Sequence, residues 1–352
     1  MHIAAVHTTL PDHRYEQAEL AAAFVAHWAK KHHNVERVQR FHEAVQVGAR
    51  HLALPIERYP ELSFGEANRA FVEVGTTLGA RVIAGALDQV GLSPTSVDAI
   101  FFTTVTGIAT PTIDARVANR LGFRPDIRRT PMFGLGCVAG AAGIGRVNDY
   151  LTAYPHQVAV LLSVELCSLT LQRGDLSIAN LIATSLFGDG AAAVVCVGDD
   201  HPLAATAAGP RVSANQSRFY PNTERVMGWE ITDNGMQIVL SANVPQVVRD
   251  HLRADVDGFL ARQGRTVADI GCWVCHPGGP KVLEAFADCL SIGKKALQRT
   301  WDSLDAVGNL SSASVLFVLQ DTIVNEPPAA GTSGLMIAMG PGFCSELVSL
   351  EW

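Results

Sequence analysis

Three residues of this 352-residue sequence have types suited to nucleophilic chemistry: Cys137 in FGLGCVAGAAG, His276 in CWVCHPGG and Asn309 in GNLSSAS. A cysteine thiolate attacks carbonyls, an imidazole carries its proton, and an asparagine amide can donate to an oxyanion. Cys137 and Asn309 each stand at a glycine-led turn that opens a helix. A helix start presents unpaired N–H groups and partial positive charge, which is expected to lower a thiol pKa. The plainer readings are a small cysteine in a tight helix start, an N-cap asparagine, and a core histidine. His276 precedes the turn Pro277-Gly278-Gly279, however, where a strand ends and a ring can face a cleft.

Other chemistries compete for the same stretches. Cys272-Trp-Val-Cys275-His276 matches the C-x-x-C-H pattern of covalent haem attachment. Seven cysteines, an odd number scattered through apolar segments, instead suggest reduced thiols in a cytoplasmic protein. GLGCVA fits a dinucleotide fingerprint, but PDIRRTPMF before it reads as a poor strand and Asp149 comes too early for the ribose. There is no P-loop and no H-E-x-x-H. His27, His32 and His33 read as a solvated helix face rather than metal ligands, so no cofactor or metal is expected.

The elements that must position these residues repeat. Residues 16–51 read as helical and polar, and 66–90 as a helix with apolar residues at helical spacing. After that helix come Gly91, a polar loop, Asp98, a buried strand and Gly107. After a helix near 244–263 come Gly264, a polar loop, Asp269, a strand and Gly278. Nine residues separate the Asp from the Gly each time, and Cys137 and Asn309 follow thirty and thirty-one residues later. Two strands then close each half: VAVLLSVEL and AAAVVCVG, then SGLMIAMG and CSELVSLEW. A long-period repeat of this kind outweighs any local motif. It implies two similar α/β halves, 1–205 carrying the cysteine and 206–352 carrying the histidine and asparagine, with helices covering mixed sheets.

Composition narrows the class further. Hydrophobic residues make up 48% and charged residues 17%, which fits a layered α/β protein with several buried faces. A net charge of −7 gives no basic field for nucleic acid. VAVLLSVELC is too short to span a bilayer and contains Glu165, so no membrane insertion is expected. MHIAAVHTTLPDHRY lacks the pattern of a signal peptide.

FGLGCVAGAAG, SLFGDGAAAVV, WVCHPGGPKV, GNLSSASV and AMGPGF occur in the order and spacing of type III polyketide synthases. The sequence therefore resembles the chalcone synthase-like branch of the thiolase superfamily along essentially its whole length. HRYEQAEL, VELCSLT and VMGWE look most like the actinobacterial, mycobacterial-type members, several of which make alkylpyrones. The resemblance implies a duplicated thiolase-like five-layer αβαβα sandwich, usually a homodimer. It makes Cys137 the nucleophile, His276 its imidazole partner and Asn309 an oxyanion donor. Phe187 matches the gatekeeper phenylalanine. Cys167, Thr170 and Ile238 match cavity positions, and Thr110 matches one that reaches the partner subunit's cavity. Ile238 stands where chalcone-type enzymes have an aromatic residue, and AMGPGF departs from the plant GFGPG motif. A smaller residue at 238 is expected to open the cavity for a long aliphatic starter. Lys30, Lys31, Arg37, Arg40 and Arg50 are candidates for CoA phosphates. The implied reaction is iterative condensation of an acyl-CoA starter with malonyl-CoA or methylmalonyl-CoA, released as a pyrone or related ring. The alternatives are an initiating β-ketoacyl-ACP synthase making one condensation, a haem or redox protein, and a non-catalytic partner subunit.

Overall fold

The computed structural model describes residues 1–28, 35–175 and 177–352. Lys30, Lys31, His32 and His33, and the side chains of His27 and Arg37, lie outside the described residues. The strands are β1 (His2–Thr9), β2 (His13–Glu16), β3 (Ala49–Leu52), β4 (Ala99–Thr104), β5 (Arg128–Phe133), β6 (Val158–Leu166), β7 (Asp189–Val197), β8 (Arg211–Phe219), β9 (Met227–Thr232), β10 (Gly235–Leu240), β11 (Cys272–Cys275), β12 (Ser333–Gly340) and β13 (Cys344–Glu351). The helices are α1 (Gln17–Trp28), α2 (Val35–Ala44), α3 (Phe64–Asp88), α4 (Ile113–Leu121), α5 (Ala139–Ala153), α6 (Ile178–Leu186), α7 (Val244–Ala261), α8 (Pro280–Leu290), α9 (Gln298–Val307) and α10 (Ser314–Val324).

Nine strands run in the order β11-β12-β13-β8-β1-β7-β6-β4-β5. The expected repeat is visible in the pairing. β4 is parallel to β6, which is antiparallel to β7; β11 is parallel to β12, which is antiparallel to β13. β7 then pairs with β1, and β13 with β8. The two half-sheets are joined by the single pair His2↔Arg211, so they form one hydrogen-bonded sheet rather than two.

Strand alternation assigns the layers, because successive side chains go to opposite faces. Ile100 and Phe102 of β4, with Leu162 and Val164 of β6, pack under α3 and α4. Their neighbours Ala99, Phe101, Ala159 and Leu161 pack against α5 and α10. The second half-sheet does the same: Val274, Met336 and Val348 meet α5 and α10, while Cys275, Leu335 and Leu347 meet α7 and α8. The result is helix, sheet, helix, sheet, helix, with α5 and α10 buried in the middle.

α3 is the one helix among the described residues long and apolar enough to cross a bilayer. Its apolar residues are apolar because they cover the sheet: Phe71, Leu78, Val82 and Ile83 are buried there. A capping box starts it, the Ser63 hydroxyl accepting from the Glu66 N–H while the Glu66 carboxylate accepts from the Ser63 N–H.

Two expectations need correction. Residues 16–51 are not helical throughout, since β2 and β3 form a small antiparallel ribbon at their ends. PDIRRTPMF contains a real strand, β5, parallel to β4 at the sheet edge. Most of its side chains are exposed, and an edge tolerates Pro131, so it lacks the apolar signature of a buried strand.

Candidate active site

In open α/β sheets the carboxyl ends of parallel strands are where ligands meet the protein, and the candidate residues gather there. Val105 follows β4, Cys167 follows β6, His276 follows β11 and Pro341 follows β12. Cys137 sits in a short turn, Gly136–Val138, that leads into α5.

The small residues around Cys137 are needed for close packing. A Cβ on Gly136 would lie 2.8 Å from Pro341, and one on Gly140 would lie 2.3 Å from the Ser312 carbonyl. Gly136 also has φ +57, a conformation that favours glycine. The start of α5 is thereby pressed against the turn that opens α10. Cys137 Sγ lies 3.8 Å from the Ser311 hydroxyl, and the Ser311 N–H donates to the Asn309 side-chain oxygen at 2.8 Å. The two halves thus bring the cysteine and the asparagine together. Asn309 is held on both sides of its peptide: its N–H donates to Leu186 O at 2.9 Å, and its carbonyl accepts from Gly188 N at 3.0 Å. This short ladder runs through Phe187.

His276 is buried, and its N–H donates to Ile337 O of β12 at 2.9 Å. Both ring nitrogens lack a hydrogen-bond partner among the described residues, so the ring is free to bond whatever enters. The haem pattern fails on geometry. Cys272 and Cys275 stand three residues apart on a strand and face different layers, one toward α10 and one toward α7. They cannot hold one ligand together.

Burial governs the titration of both reactive groups. Desolvation pushes the Cys137 thiol up to about 12, against smaller opposing hydrogen bonds from Ser311 and Asn309. Desolvation pulls His276 down to about 3. The depression expected from a helix start is therefore outweighed: taken singly, each group is neutral near pH 7.

A buried carboxylate braces the turns on either side of Cys137. Glu165 accepts from the Val105 N–H at 3.1 Å and the Thr106 hydroxyl at 2.8 Å, and from the Ser312 hydroxyl in the α10 turn. Burial raises its pKa. Arg50, a candidate for CoA phosphate, is instead an interior residue at 2% exposure. Its Nη1 donates to the carbonyls of Thr184 and Phe187, both at 2.8 Å, and its Nε donates to Gln17. A cation at the carboxyl end of α6 suits the helix dipole. Arg40 is exposed on α2.

Three cavities share walls in series. One of about 20 Å³ is lined by Cys137, Cys167, Phe187, Trp229, Ile238 and Pro341, among others. A second of about 50 Å³ shares Cys167, Phe187 and Trp229 and adds Thr170 and Arg50. The third, about 740 Å³, shares Tyr59, Ser168 and Thr170 with the second and is bordered by Ser63, Asn68, Thr106, Gln172 and Asp175. Cys167, Thr170, Phe187 and Ile238 each line one or more of these cavities. Thr110, expected to reach the partner subunit's cavity, is exposed on the loop between β4 and α4 and lines none of these three.

Trp229 was missed. In the β9–β10 ribbon, Ile238 pairs with Trp229 and Leu240 with Met227, and all four line the cavity beside Cys137. The Trp229 indole stands across the ribbon from Ile238, on the wall of the same cavity. The i, i+2 spacing of Met227 and Trp229 was the signal available in the sequence.

Fold and site together define a thiolase-like α/β acyltransferase. The sequence profile of chalcone and stilbene synthases matches in both parts, the N-terminal domain over residues 1–201 and the C-terminal domain over 211–351. The chain belongs to this family, the type III polyketide synthases, whose members use acyl-CoA starters and malonyl-CoA.

A 1,3,6,8-tetrahydroxynaphthalene synthase of Streptomyces peucetius is 51% identical over 351 residues, covering 99% of this chain and 93% of that protein. The crystal structure of 1,3,6,8-tetrahydroxynaphthalene synthase from Streptomyces coelicolor superposes with a TM-score of 0.94 at 29% identity, covering 100% of this chain and 99% of the other. The α-pyrone synthesis protein Pks18 of Mycobacterium tuberculosis is 28% identical over 319 residues, covering 88% and 81%. The identity to the Streptomyces peucetius synthase exceeds that to the mycobacterial α-pyrone protein, toward whose group the sequence motifs lean.

Proposed function

We propose that this type III polyketide synthase builds a polyoxygenated chain from malonyl-CoA alone and closes it to a 1,3,6,8-tetrahydroxynaphthalene-type aromatic. The observation that carries this reading is the wall around Cys137. Trp229 and Ile238 leave only about 20 Å³ beside the sulfur, and the space beyond is bordered by Ser, Thr, Asn and Gln side chains. Such a site favours a short starter and a chain that carries oxygen on alternate carbons. The 51% identity to a synthase of that name supports the same product.

In this reading Cys137 is the nucleophile and takes the malonyl starter from CoA, breaking the thioester C–S bond and forming another to Sγ. His276 receives the thiol proton. Extender malonyl-CoA loses CO2, and its enolate oxygen is held by the otherwise unpaired His276 ring and the Asn309 amide. The enolate carbon attacks the Cys137 thioester, freeing the sulfur for the next transfer. A naphthalene with oxygen on alternate carbons follows from a five-unit chain when the starter carboxyl leaves as CO2, one ring closes by attack on the terminal thioester with release of the thiol, and the other closes onto a ketone with loss of water, with no oxidant.

We also propose a homodimer formed through the β5 edge. This strand has an unpaired side, and Ile108 and Phe133 are 45% and 57% exposed beside an apolar groove of about 190 Å³. Seven free cysteines support a reducing, cytoplasmic setting.

The test is incubation with malonyl-CoA alone and with a panel of starters from acetyl-CoA to long-chain acyl-CoA, with products read by mass spectrometry. The expected result is the tetrahydroxynaphthalene or its oxidised quinone from malonyl-CoA alone, lost in Cys137→Ala. Pyrones from long-chain starters, with nothing from malonyl-CoA alone, would overturn the proposed product.

A further inference from the structure

Two walls of the Cys137 cavity come from distant parts of the chain. One is the β9–β10 ribbon with Met227, Trp229, Ile238 and Leu240; the other is Pro341, just after β12. The ribbon is entered through residues 220–226, and Pro341 belongs to the loop 341–343 that joins β12 to β13. One backbone bond and the Thr223 hydroxyl bridge these two segments.

The β8–β13 ladder runs to Phe219↔Cys344 and continues one step further, where the Tyr220 N–H donates to Phe343 O at 2.9 Å. The chain then turns, and the Thr223 hydroxyl comes back to the same peptide. Its oxygen accepts from the Phe343 N–H at 2.5 Å and donates to Tyr220 O at 2.5 Å. Both backbone groups of Phe343 are therefore held from residues 220–223. Tyr220 is itself fixed, its ring stacked on His251 at 4.5 Å and its hydroxyl shared between Asp255 at 2.5 Å and Ser345 at 2.9 Å. On the other side, Thr223 O accepts from Val226 N and Val226 O accepts from Ser241 N, both at 2.9 Å. Those bonds tie the bridge to the two ends of the β9–β10 ribbon. Thr223 stands four residues before Met227 and bonds a residue two beyond Pro341.

We propose that Thr223 is a positioning residue that sets the spacing between the ribbon wall and the Pro341 wall, and through it the mode of ring closure. A growing chain folds between these walls. Their separation decides which carbon of the chain reaches which carbonyl, so a small shift exchanges one ring for another. Thr223 touches no substrate and acts only through the 341–343 loop. The inference rests on the reading of this site as one where an iterated chain is folded and cyclised.

The test compares Thr223→Val, which keeps the shape and removes the hydroxyl, with Thr223→Ser, which keeps the hydroxyl. Each variant is assayed for the ratio of ring types by mass spectrometry, for the rate of Cys137 acylation, and for Tm. Thr223→Val is expected to change the ratio of fused aromatic to pyrone products about fivefold, a single hydrogen bond's worth of preference, with the acylation rate unchanged. Thr223→Ser is expected to retain the wild-type ratio. A folded Thr223→Val with the wild-type ratio would overturn the proposal, as would a Thr223→Ser that shifts the ratio equally. If Thr223→Val does not fold, Thr223→Ala is read against Thr223→Ser by the same criteria. Should wild type yield only pyrones, the proposed product fails, and the distribution of pyrone chain lengths in these variants still decides the role of Thr223.

Discussion

Replacing His276 with alanine isolates what burial does to Cys137. Desolvation places the thiol at about 12 and the imidazole at about 3. In the proposed mechanism a reactive thiolate near neutral pH therefore depends on the two ionising as a pair, each charge supporting the other. Without the imidazole, the thiol falls back on its buried value. Against an ordinary cysteine near 8.5, a pKa of about 12 lowers the thiolate fraction at pH 7 by about three thousandfold. The assay is alkylation by iodoacetamide, followed on the Cys137 peptide by mass spectrometry between about pH 6 and 10. In His276→Ala the logarithm of the rate is expected to climb with unit slope to the top of this range and show no plateau. Wild type is expected to level off at a lower pH. The slope carries the inference, because restricted access lowers the absolute rate equally at every pH. A plateau in His276→Ala below about pH 9 would refute the argument, since the helix start would then suffice to ionise the thiol.

Trp229→Ala is expected to open the wall opposite Ile238 and to raise kcat/KM for medium-chain acyl-CoA starters at least about tenfold, measured by product formation across the starter panel. His42, buried on α2, is pulled down to about 4 by burial, with repulsion from Arg50 adding to it. A lowered histidine pKa gives stability that is present above the unfolded value of about 6.5 and lost as pH falls through 4. Thermal melts should therefore show His42 costing roughly 3 kcal/mol at the acid end, and His42→Gln should flatten that part of the profile. Phe133→Asp is expected to convert a dimer to monomer in sedimentation velocity, and an unchanged species would remove the β5 edge from the interface.

The elements legible in the sequence were those with strong internal periodicity. The buried strands β4, β6, β7, β11, β12 and β13 are short apolar runs bounded by glycine or polar loops, and their repetition disclosed the duplicated topology. Cys137 and Asn309 were legible because the same repeat set them at equivalent helix starts, and their nearness, through Ser311, followed from the packing of α5 on α10. Features that depend on a tertiary partner were not. β5 carries exposed side chains because only one of its sides is paired, so its pattern resembles a loop. Arg50 looked like a surface cation, and only the fold brings the Thr184 and Phe187 carbonyls around it. The place of Trp229 beside Ile238 was not legible, because the two stand nine positions apart in the chain and only the ribbon pairs them. The direction of the Cys137 shift was missed for a related reason, since the amount of solvent excluded is a property of both halves together.

The placement of α5 and α10 at the centre separates two kinds of change open to this enzyme. Cys137 and Asn309 are borne by helices whose starts touch through glycine, with no room for a Cβ between Gly140 and Ser312. The walls of the cavity beside Cys137 hang from a two-stranded ribbon and a loop outside the nine-stranded sheet. Under the proposed mechanism, substitutions in the ribbon alter what is made while the bond-forming geometry stays still, and substitutions in the central pair alter whether anything is made. A lineage can thus explore starters and ring types through residues such as Trp229 and Ile238 without passing through inactive forms.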